Sequence, residues 1–93
     1  MIEKDSLKSI IAFSLEVVLM RIGGPKYPVF VVRLESDHGM KMHDCFDNPK
    51  GLKMTLQIVY DEMYPFIIEN LEAELGELAS KPEVIEFLNA LRE

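Results

Sequence analysis

Leu7, Ile11, Leu15, Val18 and Ile22 follow one another at spacings of four, four, three and four, the repeat of one face of an α-helix. This predicts a helix from about Ser6 to Ile22. Ile10, Phe13 and Val17 widen its apolar stripe, as expected of a central helix contacted from several sides. Asp5 or Ser6 is placed to cap its start. Gly23-Gly24-Pro25 ends it, because glycine tolerates the left-handed cap and proline cannot continue the hydrogen-bond ladder.

The next segment, residues 26–38, supports two readings. Val29-Phe30-Val31-Val32 has strong strand propensity. With a turn at Asp37-His38-Gly39 and a return strand over Met40 to Cys45, it would form a hairpin within residues 28–45 of an α+β domain. Against this, Tyr27, Phe30, Val31 and Leu34 fall at i, i+3, i+4 and i+7, with Pro28 suited to a first helical turn and Gly39 to the position after the last.

Asn48-Pro49 marks a helix start, with Leu52, Leu56, Val59 and Tyr60 inward and the face continuing towards Met63. Pro65 marks a break or a new first turn. From there Ile68, Leu71, Leu75 and Leu78 predict a helix over about Pro65 to Ala79. Ser80-Lys81-Pro82-Glu83 matches a capping box, opening a last helix with Val84, Ile85, Leu88 and Leu91 inward. No repeat or linker interrupts the chain, and a length of 93 residues suits one domain with one modest core. The fold class expected is all-α, a compact bundle of four to five helices, with the hairpin form as the alternative.

Composition narrows the function classes. The lone cysteine, Cys45, cannot close an internal disulfide, which favours a reducing compartment. Met1-Ile2-Glu3-Lys4-Asp5-Ser6 lacks the basic lead of a signal peptide. The apolar stretch Ile10 to Met20 is interrupted by Ser14 and Glu16 and is too short to span a bilayer. A cytoplasmic protein without a membrane partner is expected. The net charge is −6, and residues 61–79 hold Asp61, Glu62, Glu69, Glu72, Glu74 and Glu77 with no lysine or arginine. Nucleic-acid affinity draws on Lys and Arg neutralising phosphates, so this acidic chain is a poor candidate for it.

Leu34-Glu35, Gly39, Asp44 and Asn48-Pro49, followed by the Leu52/Leu56/Tyr60 and Ile68/Leu71/Leu75 helices, resemble a small archaeal family, the fifth of the Nitrosopumilus output domains. The resemblance covers residues 7–78 and leaves the C-terminal helix, 80–93, outside. The family's aromatic–glycine turn before its last shared helix is replaced here by Tyr60-Asp61-Glu62-Met63-Tyr64, which has no glycine. The resemblance implies an all-α bundle, favouring helix for residues 27–38, and an accessory or output role in archaeal signalling or regulation. It implies no catalytic residue.

Two clusters carry candidate chemistry. In His38-Gly39-Met40-Lys41-Met42-His43-Asp44-Cys45, the side chains of His38, His43 and Cys45 could ligate a soft metal such as Cu(I), or Zn²⁺ with Asp44 or Asp47. The spacing matches no established zinc pattern and Lys41 sits inside it. The plainer reading is an inter-helix connection with Met40 and Met42 inward and solvated histidines. Cys45 and His43 lack an oxyanion-forming loop for nucleophilic catalysis. The acidic run lacks the Glu-x-x-His motif of di-metal bundles. Gly23-Gly24 lacks the lysine and hydroxyl of a phosphate loop. Tyr60 and Tyr64 read as half-buried amphipathic residues. These readings point away from an enzyme and from any cofactor. They favour a binding or regulatory module with a protein partner; Glu69, Glu72 and Glu77 are either candidate contacts for it or part of a solvated face that keeps the domain soluble. Homo-oligomerisation stays open, and a soft-metal binder or sensor is the alternative.

Overall fold

The structure, a computed structural model, describes residues 4–93. The expectation drawn from Met1-Ile2-Glu3 therefore lies outside the described residues. The described chain is an all-α bundle of α1 (Lys4–Arg21), α2 (Tyr27–His38), α3 (Pro49–Tyr60), α4 (Tyr64–Leu75) and α5 (Pro82–Arg92), joined by short 3₁₀ turns. α1 packs on α4, α2 on α3, and α3 also on α5 and α4, while the turn Met42–Asp44 lies against α1.

Proline and glycine punctuate these elements. Pro28, Pro49, Pro65 and Pro82 each stand in the first turn of a helix, where a missing N–H costs nothing. Gly23 and Gly39 follow α1 and α2 in the left-handed region, at φ 65° and 63°. Asn48 caps α3 by accepting the Gly51 N–H at 3.1 Å. The α-helical reading of residues 27–38 holds, and the hairpin alternative does not. Pro28 starts α2, Gly39 stops it, and Met42–Asp44 is a 3₁₀ turn rather than a strand.

Four expectations of element and phase are corrected. The helix expected over Pro65–Ala79 stops at Leu75, where Gly76 takes φ 58°, and Gly76–Ser80 continues as a 3₁₀ turn. The capping box at Ser80 does not form. Lys81 precedes a proline, which holds it extended (ψ 139°), so Lys81 itself occupies the cap position, while the Ser80 hydroxyl donates to the Glu77 carbonyl. In α5 the inward positions are Val84, Phe87, Leu88 and Leu91, with Ile85 turned out. Phe87 is drawn in by the ring of Phe46, 5.4 Å away centroid to centroid. Asp5 and Ser6 lie inside α1 rather than capping it, since the helix already includes Lys4.

The core consists of the predicted faces with two adjustments. Leu7, Ile11, Leu15, Val18 and Leu19 are buried on α1, but Phe13 and Met20 face outward, so the helix is covered on fewer sides than its stripe suggests. Tyr60 is fully buried rather than half-buried, packed on Phe30 with ring centroids 6.1 Å apart. Tyr64 is half-buried, its hydroxyl donating to the Leu91 carbonyl at 2.5 Å.

The residue after Tyr60 is strained. Asp61 sits at φ 48°, ψ −111°, a conformation that glycine adopts freely and a side chain does not. The backbone here takes a glycine-type turn without the glycine. Asp61→Gly is expected to raise stability by about 1 kcal/mol, relief of strain exceeding the entropy cost of glycine. A thermal melt should move up by roughly 4–8 °C. An unchanged or lower midpoint would show that the turn stores no strain.

Candidate docking surface

The His–Met–Cys segment is built into the fold. Met40 is buried, and its sulfur accepts the Asn48 side-chain amide at 3.3 Å. A β-carbon on Gly51 would come within 2.7 Å of that sulfur, so the Met40 side chain lies where any larger residue at this position would make it shift. The Asp44 carboxylate accepts the Lys41 N–H at 2.9 Å. Asp47 pairs with Lys8 of α1 at 2.7 Å, and that hydrogen bond raises the Lys8 ammonium above its ordinary value.

Cys45 is fully buried, its thiol directed at the Lys41 carbonyl. Burial, with a smaller contribution from the charge of Asp44, pushes the thiol up to about 12, so it is protonated at neutral pH. His43 is exposed and His38 half-buried. The structure does not assemble His38, His43 and Cys45 into a ligand set. Among the described residues, no three or more His, Cys, Asp and Glu side chains are grouped to hold a metal ion.

The acidic run is also rearranged by the fold. Glu69 and Glu72 are exposed on α4, but Glu77 lies in the following 3₁₀ turn, so the three do not form one helical face. Two arginines from outside the run reach it: Arg92 pairs with Glu72, and Arg21 with Glu74 at 3.2 Å. The local excess of negative charge is smaller in space than along the chain.

The feature that the sequence reading did not single out is apolar. Val29 and Val32 on α2 are 54% and 66% exposed, and Met54 and Ile58 on α3 are 45% and 56% exposed. Lys26, Val29, Arg33, Ile58 and Val59 line a groove where α2 lies against α3. Val29 and Arg33 are shared with a second depression over α2, and Val32 links that one to a third beside Glu35. The result is an apolar strip that runs from Ile58 in the α2–α3 groove through Val29 to Val32 on the outer side of α2, with Arg33 beside it.

A signal for it exists in the chain. Four consecutive apolar residues, Val29-Phe30-Val31-Val32, span more of a helix than a single face can bury. Once the segment is helical with Phe30 inward, Val29 and Val32 must point elsewhere.

Cations border the strip. Lys26 lies at the start of α2. Arg33 lies one turn beyond Val29 and is held by Asp37 at 3.0 Å. Lys50 precedes Met54 and Ile58 along the outer line of α3, a helix that contains no carboxylate. Of the other exposed apolar residues, Phe13, Met20 and Phe66 share the outer faces of α1 and α4 with Glu16 and Glu69, and Ile85 lies on α5.

The fold and this surface define a small all-α bundle with exposed apolar side chains along the α2–α3 groove. No family model, no curated protein and no solved structure matches the chain. Among the described residues, no helix is long and apolar enough to cross a membrane.

Proposed function

We propose that the protein is a non-enzymatic binding module that takes up a protein partner on the α2–α3 face, in the manner of a signalling or regulatory output domain. The observation that carries this reading is the strip itself. Val29, Val32 and Ile58 stand more than half exposed along adjoining depressions, in a small bundle whose described residues include twenty buried apolar side chains. Single exposed apolar residues need no explanation, but a contiguous apolar surface with a charged border is typical of interaction sites. The regulatory setting rests on the resemblance to the archaeal output domains.

Capture from extract of the native cell, with the wild-type chain as bait, tests the proposal. A discrete protein should be retained by the wild type and lost by Val32→Glu/Ile58→Glu, with helical content unchanged because both residues are exposed. Reversing Glu69, Glu72 and Glu77 to lysine addresses the acidic surface in the same experiment. Loss with that variant alone would move the docking site to α4 and the turn after it. Equal retention by all three proteins would remove the proposal.

A further inference from the structure

We propose that the occupant of the α2–α3 face is an acidic amphipathic helix of a partner protein, an inference that rests on the binding-module reading above. Shape selects a helix. The groove is walled by side chains of two helices whose backbone groups are spent on their own ladders, so it offers no edge for an extended peptide to pair with. A helical segment brings its backbone already satisfied and needs only an apolar stripe. α2 and α3 are each 12 residues long, about 18 Å, so three to four turns of a partner would cover the strip.

Charge selects the sign. The chain carries −6 overall, yet Lys26 and Arg33 line the α2–α3 groove and α3 carries no acidic residue. Arg33 is ion-paired with Asp37 at 3.0 Å, and Glu35, beyond Val32, is a carboxylate on the opposite edge. An occupant with carboxylates on its α3 side therefore meets Lys26 and Arg33.

A second copy is the competing occupant, because two-fold pairing places the same patch of both copies face to face, and dimerisation is therefore one outcome of the test. Phe13 and Phe66, exposed on α1 and α4, stand one helical turn from Glu16 and Glu69 and would suit a basic partner.

The test uses the full chain and two labelled synthetic helices of about four turns. Both carry leucine at i, i+3, i+4 and i+7, one with glutamate at the polar positions and the other with lysine. Fluorescence anisotropy should show the glutamate peptide binding at least about tenfold more tightly than the lysine peptide, with the difference shrinking in high salt. Val32→Glu and Ile58→Glu should abolish binding, and Lys26→Glu/Arg33→Glu should remove the preference for acid. Equal or tighter binding of the lysine peptide, binding of neither, or binding that ignores the variants would overturn the inference. So would dimerisation of the chain that Val32→Glu abolishes. If capture from extract is still lost with Val32→Glu/Ile58→Glu while neither peptide binds, the binding-module reading stands and the acidic-helix inference alone falls.

Discussion

Leu56→Ala is expected to lower the free energy of unfolding by about 2–5 kcal/mol. Leu56 is fully buried on α3, the helix that packs on α2, α4 and α5, so the lost methyl groups leave a void that no single neighbour can close. Domains of this size hold roughly 5–15 kcal/mol in all, and the change should take the melting midpoint down by about 10 °C or more. Val32→Ala, on the exposed side of α2, should alter stability by no more than about 0.5 kcal/mol. Chemical denaturation of the two variants checks both. A small effect at Leu56, or a large one at Val32, would mean that the helices are rotated from the faces described here.

The second large effect is loss of stability in alkali. Burial is the leading cause that raises Tyr27, Tyr60 and Tyr64 from 10.0 to about 12, and it raises Cys45 from 9.0 to about 12. Tyr27 also donates its hydroxyl to the Glu16 carboxylate at 3.0 Å, which adds to its shift. Below about pH 8 all four groups are protonated whether the chain is folded or not, and their contribution is fully present. As pH rises from about 8 to 12, the unfolded chain releases these protons, Cys45 first, while the folded chain keeps them, so proton release favours unfolding. Denaturant midpoints should be flat near neutrality and fall steadily through that window. Tyr60→Phe should blunt the fall. It should also stabilise the protein by about 1 kcal/mol at neutral pH, because the buried Tyr60 hydroxyl has no hydrogen-bond partner among the described residues. Denaturant midpoints that hold steady to pH 12 would contradict the burial of these groups.

These expectations rest on helix faces, and most of those faces are legible in the chain. Spacings of three and four around Leu7–Val18, Leu52–Tyr60 and Ile68–Leu75 specify which side of each helix is inward, and glycine and proline mark where helices stop and start. Legibility ends where a residue's fate depends on a distant neighbour. Phe87 displaces Ile85 from the core because Phe46, far away in the chain, reaches α5. Tyr60 loses its contact with water because Phe30 covers it. Gly76 was a readable stop, but Leu78 continues the apolar spacing through it and masks the end of α4.

The candidate surface was legible only in part. Composition along the chain emphasised Glu69, Glu72 and Glu77, yet charge counted in sequence ignores Arg92 and Arg21, which arrive from other helices. The Val29–Val32 run was visible as a run of apolar residues. Its meaning changes with the element that carries it: in a strand it would be a buried core segment, whereas in a helix it leaves two valines outside. The spacing of His38, His43 and Cys45 gives no indication that the thiol is enclosed by packing.

Site-specific photocrosslinking tests the docking face most directly. A benzophenone side chain placed at Val32, at Ile58 and, as a control, at the exposed Asn89 of α5 would be irradiated in extract of the native cell. The account predicts discrete protein adducts from positions 32 and 58 and none from 89. Adducts formed equally from all three positions, or from 89 alone, would contradict it.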